Sequence, residues 1–550
     1  MSDLNFLPSL GVSLAGVAAD VSRRRLRGRR IAPTDVGDYC LSRTIRALAV
    51  LCLLGLPFGG QGQPAIKIES GVAQLFVDDG MIEQHRDLRR TLHQPVKDND
   101  GNRPVIAARS GTTLLAYGSI VRDTRLQRWV MFVQEFPSRQ MYRLTSADGL
   151  DWQPNTHEQL ERVTLDLSFA PLPPEARGQP GIDLFSCYYD AADADRPYKG
   201  WVWAANVGNE WEGIWYVDSA DGLRWRKGGQ IFSGYAGEGD PSCRAITQDG
   251  RTLYGPGDVT LFAPDPVGKR FLGLFKFYSP RDIAPGHGSR ARAYAFLERL
   301  DRPFDIEKLE RIQLMPAMAA RNGDAPADEY YASTAWRYES LWLGGLKIFH
   351  ARDNYPWSAA GCAFLKLVVS RDGLDWRKVP FTNDTGVAEV FIPNGVEGGQ
   401  AGRNDGGYIS EFSQGPLRVG DELIYYYSAS SYGKNASRDR RIMGGGIFRA
   451  RLRRDGFVSV DAGTLTTPLL QFQGLDLLIN AVGPVAVQVL DESGKTRASA
   501  NLAGNSLRHL VRFEGKSLRE AARRGRCRLR FEVTPPGQLY SFTVADRSTR

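Results

Sequence analysis

The chain has 550 residues, which is too long for one ordinary hydrophobic core, so we expect two domains. Its 59 glycines and 30 prolines suit a turn-rich all-β protein. The net charge of +8 is partly local, because residues 1–60 carry eight Arg against four Asp, and the remaining chain shows no Lys/Arg run interleaved with aromatic residues. This distribution argues against nucleic-acid binding.

Residues 1–64 are predicted to be a leader that contains a secretory signal peptide. Two arginines precede the apolar run 47–58, and small residues follow as far as Ala65. The run is too short to cross a bilayer comfortably, so we expect no integral membrane span after its removal. The arginine-rich stretch 22–30 has no apolar run directly after it, and a start codon annotated too far upstream explains it best. We therefore expect export to the periplasm or the cell exterior.

A seven-residue sequence occurs three times, as Ser146–Trp152, Ser219–Trp225 and Ser370–Trp376. Each copy reads Ser-x-Asp-Gly-Leu-x-Trp, and its Asp-Gly pair favours a tight hairpin turn because glycine accepts a positive φ. The aspartates lie 221 − 148 = 73 and 372 − 221 = 151 residues apart, and weaker copies at Asp301 and Asp455 extend the series. The spacing predicts five units of roughly 75 residues.

Units of this length with one hairpin signal each predict an all-β fold, a five-bladed β-propeller at residues 70–462. Large loops on one face would account for the length of the units. Residues 463–550 carry short strands with period-two alternation, which predict a small C-terminal β-sandwich. Helical patterns are confined to 305–311 and 517–524.

Metal and disulfide chemistry has little support in the sequence. The four cysteines outside the leader are far apart without a CxxC pair, and the six histidines show no HExxH or HxH spacing. No cofactor and no metal site are expected, although a structural calcium ion is compatible with the sequence.

Both ends of the chain beyond the leader resemble one protein family. The resemblance is carried by LFVDDGMIEQHRDLRRTLHQP at Leu75–Pro95 and by LRRDGFVSVDAGTLTTPLLQFQGLDLLIN at Leu452–Asn480, with VAVQVLDESGK and LYSF further on. These stretches look like an uncharacterised family of exported bacterial proteins, frequent in planctomycetes and described as glycosyl-hydrolase-like.

The propeller followed by a β-sandwich is similar to glycoside hydrolase family 32, and families 43 and 68 share the propeller. The family 32 signatures Trp-Met-Asn-Asp-Pro-Asn-Gly, Arg-Asp-Pro and Glu-Cys are not intact, so invertase-type activity is not implied.

Glycoside cleavage needs one carboxylic acid to protonate the leaving oxygen and one carboxylate to attack or to activate water. In a propeller this predicts one acid per blade, near the beginning of each inner strand. The first blade is expected to open with 73–82, where the resemblance to family 43 would put its first catalytic Asp. An Asp beside Gly is more often a turn cap, so each candidate has a structural alternative. The catalytic candidates are Asp79, Asp258, Asp183 and Glu411.

A second set of residues is predicted to bind substrate. A third carboxylate commonly holds the sugar or tunes the acid, histidines bind hydroxyls, and arginines bind acidic sugars. Each of these residues also has an ordinary structural or surface interpretation. The substrate-binding candidates are Asp78, His93, Glu329, Asp405, Arg403 and His287.

The sequence therefore predicts an exported carbohydrate-active enzyme, a glycoside hydrolase acting on an oligo- or polysaccharide with a carboxylate pair in the propeller channel. One alternative is a propeller that binds glycans without catalysis. Another is a sialidase-like hydrolase, whose Asp-box Ser-x-Asp-x-Gly-x-x-Trp resembles the repeat but has one more residue between Asp and Gly. A polysaccharide lyase is disfavoured, because a channel rich in acids would repel a uronate.

Overall fold

The structure is a computed structural model, and it describes the chain in several ranges. These are residues 64–165, 181–205, 211–233, 244–248, 251–278, 290–305, 309, 328–351, 360–381, 389–434, 444–522 and 525–546. The predicted leader lies outside them except for residue 64. Within them, no helix is long and apolar enough to cross a membrane.

The described residues form an almost entirely β-structure, as predicted, with a few helical turns. The first five strands are short and pair with strands from the end of the chain. They are β1 (Ile66–Ile68), β2 (Ala73–Leu75), β3 (Gln84–Leu92), β4 (Val96–Lys97) and β5 (Ile106–Ala107).

Five antiparallel groups of strands follow, which we number 1 to 5 in chain order. Group 1 contains β6 (Thr113–Leu115), β7 (Ile120–Asp123), β8 (Arg128–Phe136), β9 (Met141–Ser146), β10 (Trp152–Gln153) and β11 (Glu161–Leu165). Group 2 contains β12 (Gly181–Tyr189), β13 (Tyr198–Ala205), β14 (Gly213–Ser219) and β15 (Arg224–Ser233). The two groups share one ten-stranded sheet, because β11 pairs with both β9 and β15.

Groups 3, 4 and 5 each form a sheet of their own. Group 3 contains β16 (Arg244–Gln248), β17 (Arg251–Gly255), β18 (Leu261–Asp265), β19 (Arg270–Tyr278) and β20 (Arg290–Leu297). Group 4 contains β21 (Asp328–Ser333), β22 (Trp336–Tyr338), β23 (Leu341–Ala351), β24 (Gly361–Ser370) and β25 (Arg377–Lys378). Group 5 contains β26 (Ile409–Glu411), β27 (Leu417–Val419), β28 (Glu422–Ala429) and β29 (Gly446–Arg453), and its outer edge is completed by β4 and β5.

The remaining strands form an eleven-stranded terminal sheet with β1, β2 and β3. They are β30 (Val458–Thr466), β31 (Leu470–Phe472), β32 (Asp476–Val482), β33 (Val485–Leu490), β34 (Thr496–Leu502), β35 (Asn505–Val511), β36 (Arg526–Val533) and β37 (Gln538–Ala545). Its core includes Phe76, Phe531 and Phe542, which are fully buried against one another.

The helical turns are all short. They are two 3-10 turns (Asp98–Gly101 and His157–Gln159), α1 (Gly399–Gly402) and α2 (Leu518–Ala521). The helix predicted at 517–524 is confirmed by α2, which Ser517 and Glu520 cap reciprocally. The one predicted at 305–311 lies mostly outside the described residues.

The five turn sequences found in the repeat follow one strand in each group, namely β9, β14, β20, β24 and β29. The three complete copies share one hydrogen-bond pattern. In the third copy the Gly373 amide donates to Ser370 Oγ over 2.8 Å, and the amides of Leu374 and Asp375 donate to Asp372 Oδ1 over 2.8 Å each. Gly373 has a φ of +86°, which explains the requirement for glycine.

The groups pack on one another in cyclic order, with a hydrophobic cluster between each consecutive pair and between group 5 and group 1. One aromatic contact marks each interface. These contacts are Phe132–Phe185, Phe232–Phe275, Tyr294–Trp376, Trp336–Tyr425 and Trp152–Tyr426. Their ring centroids lie 4.9 to 6.1 Å apart, within the range of favourable aromatic pairing.

The prediction that 73–82 opens the first blade is wrong. Strand β2 pairs with β37, and β3 pairs with β30, so this stretch belongs to the terminal sheet. The period of the repeat could not reveal this, because the partners of the stretch lie at the far end of the chain.

Candidate functional site

Three candidate acids, Asp183, Glu329 and Asp258, lie where the strands of groups 2, 4 and 3 are irregular or interrupted. Strand β12 has a bulge immediately after Asp183, where Leu184 takes a φ of +60°. Strand β21 shifts register at Tyr331, and Asp258 lies in the break between β17 and β18. Bulges redirect single side chains out of the regular alternation and are frequent beside active sites.

A side chain from group 1 holds the bulge in group 2. The Leu184 amide donates to Gln134 Oε1 over 3.2 Å, and Gln134 Nε2 donates to the Ile182 carbonyl. Because both hydrogen bonds flank Asp183, group 1 fixes the backbone on which this acid sits.

Three predicted acids from groups 2, 3 and 4 come together, and each is paired with a cation. The pairs are Asp183 with Arg139 (3.1 Å), Asp258 with Lys276, and Glu329 with Arg290. The Lys276 side chain is only 1% exposed, whereas the Asp258 side chain remains 40% exposed. Of these two residues, Asp258 is therefore the one that a ligand can reach.

Asp183 and Asp258 differ in pKa although they are the same residue type. Burial raises the pKa of Asp183 to about 6, against the effect of Arg139 and with a contribution from the charge of Asp258. Burial acts in the same direction on Asp258, but Lys276 and Arg290 outweigh it and lower its pKa to about 2. At a pH between these two values Asp183 holds a proton while Asp258 is ionised, which is the division of labour that acid–base catalysis needs.

Tyr331 lies at the centre of a group of cations that the sequence did not predict. Four charged groups approach its ring centroid: Arg290 Cζ at 4.5 Å, Lys434 Nζ at 5.0 Å, and Lys276 Nζ and Lys347 Nζ at 5.1 Å each. Lys434 Nζ also donates to the Tyr331 hydroxyl over 2.9 Å. We call these five residues the cation cluster.

The phenol of Tyr331 responds to these charges. Burial alone would raise its pKa, but Lys434, Arg290 and Lys276 lower it to about 7. Burial lowers the pKa of Lys276 to about 8. Lys347 is also buried, and desolvation together with the neighbouring cations lowers its pKa well below the ordinary lysine value.

Lys347 connects the cation cluster to group 1 and group 5. Its ammonium nitrogen donates to the Tyr117 hydroxyl over 2.8 Å and to Ser410 Oγ, and it lies 3.3 Å from the Tyr408 ring centroid. The Tyr117 and Tyr408 hydroxyl oxygens are 3.2 Å apart. Groups 1, 3, 4 and 5 therefore each contribute a side chain to this network. Group 2 contributes Asp183 to the site, where it interacts with the charges of Asp258 and Lys276.

The buried lysines had a signal in the sequence that the prediction did not use. Lys276 and Lys347 each interrupt an apolar strand, in Leu274-Phe-Lys-Phe277 and Leu346-Lys-Ile-Phe349. Lysine is almost never fully buried unless it is paired, so a lone lysine in such a strand indicates a polar interior site. Lys434 lies in a connection after β28 and carries no comparable signal.

Glu411 and Asp405 are buried within the packing of the groups and do not face the cation cluster. Burial raises the pKa of Glu411 to about 7. Hydrogen bonds from the Thr334 hydroxyl and the Gly345 amide oppose this rise. Asp405 Oδ2 accepts from Lys97 Nζ over 2.5 Å and from the Tyr427 hydroxyl over 2.9 Å, which ties β4 to group 5. Contacts of this kind are also made by packing residues, and the catalytic role of Glu411 and the binding role of Asp405 stay predictions.

Asp78 and Asp79 lie in the turn between β2 and β3 of the terminal sheet. Asp78 pairs with Arg371 at 2.6 Å, and Asp79 pairs with Arg90 at 2.6 Å while 80% of its side chain stays exposed. The structure does not bring them to the other acids, because β2 and β3 are not part of group 1.

The other predicted binding residues are dispersed. His93 Nε2 lies 2.7 Å from Ser459 Oγ and its ring contacts Tyr540, both in the terminal sheet, and burial lowers its pKa. Arg403 is exposed directly after α1. His287 lies outside the described residues. In the described part of the chain, no three His, Cys, Asp or Glu side chains come together as a metal ion would require.

No protein-family description matches the chain, and no curated protein matches it in sequence. Solved structures do resemble it. A putative glycoside hydrolase from Bacteroides ovatus is 13% identical and matches 66% of this chain and 97% of its own length, with a TM-score of 0.37. An N-acetylgalactosamine deacetylase from F. plautii is 13% identical over 66% and 95%, with a TM-score of 0.36.

A fructofuranosidase from Schwanniomyces occidentalis is 10% identical, and the match covers 82% of this chain and 99% of that protein with a TM-score of 0.35. Similarity at this level assigns neither an activity nor a substrate to the chain.

Proposed function

We propose that the chain is a carbohydrate-active enzyme, a glycoside hydrolase in which Asp183 is the general acid and Asp258 is the nucleophile or general base. The observation that carries the proposal is the divergence of these two interacting carboxyls, one with its pKa raised to about 6 and the other lowered to about 2. A pair of carboxyls with opposite protonation at one pH is the requirement for cleaving a glycosidic bond.

In this scheme Asp183 gives its proton to the glycosidic oxygen as the bond to the anomeric carbon breaks. If Asp258 forms a bond to that carbon, a water then attacks the carbon, gives its proton to Asp183 and releases Asp258. If Asp258 instead takes a proton from the attacking water, it passes that proton to solvent and Asp183 regains one from solvent. A carboxylate with a pKa near 2 is a weak base, so the nucleophile role suits Asp258 better.

We also propose that the five groups are the blades of a five-bladed β-propeller and that the terminal sheet is a β-sandwich. The cyclic order of the interfaces and the completion of group 5 by β4 and β5 support the propeller. The domain bounds become 96–453 for the propeller, with 66–92 joining 458–545 in the sandwich. Export remains a proposal that rests on the leader sequence alone.

The test of the proposed function is hydrolysis of a panel of oligosaccharides and aryl glycosides by wild type, Asp183→Asn and Asp258→Asn. Asp79→Asn is a matched control, because it makes the same chemical change at an exposed ion pair in the terminal sheet. We expect both site variants to lose activity by orders of magnitude while remaining folded, and the control to keep it.

Turnover that survives in either site variant would remove that residue from the mechanism. No turnover by wild type, with glycans bound equally by all four proteins, would instead favour a propeller that only binds glycans.

A second candidate, a sialidase-like hydrolase, is favoured by one observation, the position of Tyr331 among four cations. There a phenolate would attack the anomeric carbon in place of Asp258. Tyr331→Phe discriminates the two, since the first proposal expects substantial turnover to remain in this variant and the second expects none.

A further inference from the structure

The cation cluster brings several cationic side chains to one place. In the described part of the chain, its four cationic residues lie around Tyr331, and Asp258 and Glu329 form ion pairs with Lys276 and Arg290. An anion that enters the site would be attracted to these cations.

One buried donor of the cluster has no acceptor among the described residues. The Arg290 guanidinium is 9% exposed and pairs with Glu329 through Nη1, while its Nε is buried without a hydrogen-bond partner there. Lys434 and Tyr278 are half-buried beside it, so a ligand can reach this side of the cluster.

Asp258 is open to the same space. Because it is 40% exposed and pairs with Lys276, a sugar placed for attack at Asp258 would lie against the cluster. The anion-binding groups and the proposed reacting group are thus parts of one site.

We infer that this site takes an acidic saccharide, whose carboxylate or sulfate group is held by Lys434 and Arg290 beside Tyr331. The inference rests on the proposed function and names its substrate class. Arginine and lysine recognise both kinds of oxyanion by charge-assisted hydrogen bonds, and the partly desolvated setting strengthens such contacts. The sequence predicted an acid-rich channel, which argued against an acidic ligand. In the structure Asp183, Asp258 and Glu329 each have a cation beside them.

The experiment measures binding by calorimetry with full-length Asp183→Asn, which keeps the cation cluster and prevents turnover. Two matched pairs of ligands separate the anions: trigalacturonate against the same trisaccharide with its carboxyls reduced to alcohols, and a sulfated galactan oligosaccharide against its desulfated form. We expect the acidic member of one pair to bind at least about 10-fold tighter than its neutral partner, with the advantage shrinking as salt is raised.

The charge dependence is tested by adding Lys434→Gln, with Lys495→Gln as control because Lys495 is an exposed lysine in a turn of the terminal sheet. The preference for the acidic ligand should fall several-fold in Lys434→Gln and stay unchanged in Lys495→Gln.

A second readout follows the ionisation of Tyr331 in wild type, which is visible as tyrosinate absorbance, and uses Tyr331→Phe to assign the signal. The charges that act on Tyr331 are those of Lys434, Arg290, Lys276 and Asp258. Lys347 and Tyr408 also contact its ring, and Glu329 and Tyr278 contact Arg290. We expect one tyrosine of wild type, absent in Tyr331→Phe, to ionise well below the rest, and the acidic ligand to move that ionisation to higher pH.

Equal binding of acidic and neutral partners in both pairs would overturn the inference and leave the hydrolase proposal standing. Failure of all four ligands to bind, with turnover of a neutral glycoside, would have the same meaning. Failure to bind together with no turnover of any glycoside would overturn both.

Discussion

The three repeat turns and the interior of the five groups use carboxyl groups in opposite ways. In the turns, Asp148 and Asp221 accept backbone amide hydrogen bonds at the surface, and their pKa values are lowered to about 2. In the interior, burial raises the pKa of Asp183 to about 6 and that of Glu411 to about 7.

The two places therefore have opposite effects on stability. An ionised turn carboxylate stabilises the fold at neutral pH, whereas a buried carboxyl with a raised pKa destabilises it there. In the proposed mechanism this cost is tolerated at Asp183 because a proton donor is needed there, and it also arises at Glu411 between groups 4 and 5.

The largest effect that would sharpen this comparison is expected for Glu411→Gln. The folded pKa of Glu411 lies above its unfolded value of 4.5, so wild type loses stability as pH rises from about 4.5 to 7, by up to about 3 kcal/mol. Glutamine keeps the shape of the neutral acid and removes that loss. Urea unfolding at pH 5 and pH 8 measures it, and an unchanged pH dependence in the variant would contradict the burial argument.

Lys276→Met should have the next largest effect, because it leaves Asp258 without its nearest cation. Breaking a fully buried pair costs about 3–5 kcal/mol, and we expect about 2 kcal/mol here since Asp258 retains contact with water. Activity should fall as well, because the pKa of Asp258 rises.

The matched control for Lys276→Met is Lys199→Met, which removes a more exposed cation, 17% against 1%, from a pair with Asp193 in group 2. Equal losses of unfolding free energy in the two variants would mean that the burial of Lys276 has no special weight.

Asp372→Ala tests the turns. The variant loses two acceptor contacts to backbone amides, and we expect a decrease in unfolding free energy of about 1 kcal/mol at neutral pH. Because the pKa of Asp372 is lowered, this contribution is present above the unfolded value of 3.8 and disappears as the pH falls through the folded one, the reverse of Glu411. Chemical denaturation at pH 7 and pH 3 measures both points, and a loss that persists unchanged at pH 3 would count against the charge of Asp372.

The smallest effect is expected for Lys347→Met. Burial already disfavours the charge of Lys347, and it donates to the hydroxyls of Tyr117 and Ser410, so the variant leaves hydroxyls rather than a carboxylate without this partner. We expect a change in unfolding free energy within about 1 kcal/mol, from the partners left at Tyr117 and Ser410. A loss as large as that of Lys276→Met would show that Lys347 is charged in the folded protein.

Sequence reasoning found what is encoded locally. The turns could be predicted because the serine, the aspartate two residues later and the glycine after it make their own hydrogen bonds. Asp183, Asp258 and Glu329 could be proposed because each stands at a similar position in its repeat unit. Asp79 was misplaced because the partners of β2 and β3 lie at the other end of the chain.

The cation cluster could not be predicted for a related reason. Its members come from groups 3 and 4 and from a connection in group 5, and only the packing of those groups brings them around Tyr331. The sequence does mark Lys276 and Lys347 as unusual, but it does not show that they point to the same tyrosine.

The pairing of the first strands with the last has a consequence for how the chain is made. Gln84 pairs with Thr466, a separation of 466 − 84 = 382 residues, and β4 and β5 complete group 5 only after β29 exists. During synthesis the strands at 66–107 therefore have exposed edges until nearly the whole chain has emerged. Contacts of such sequence separation make folding slow, and unpaired strands in the meantime are prone to association with other chains. A factor that shields this N-terminal segment during synthesis would increase the yield of folded protein more than any stabilisation of the finished fold.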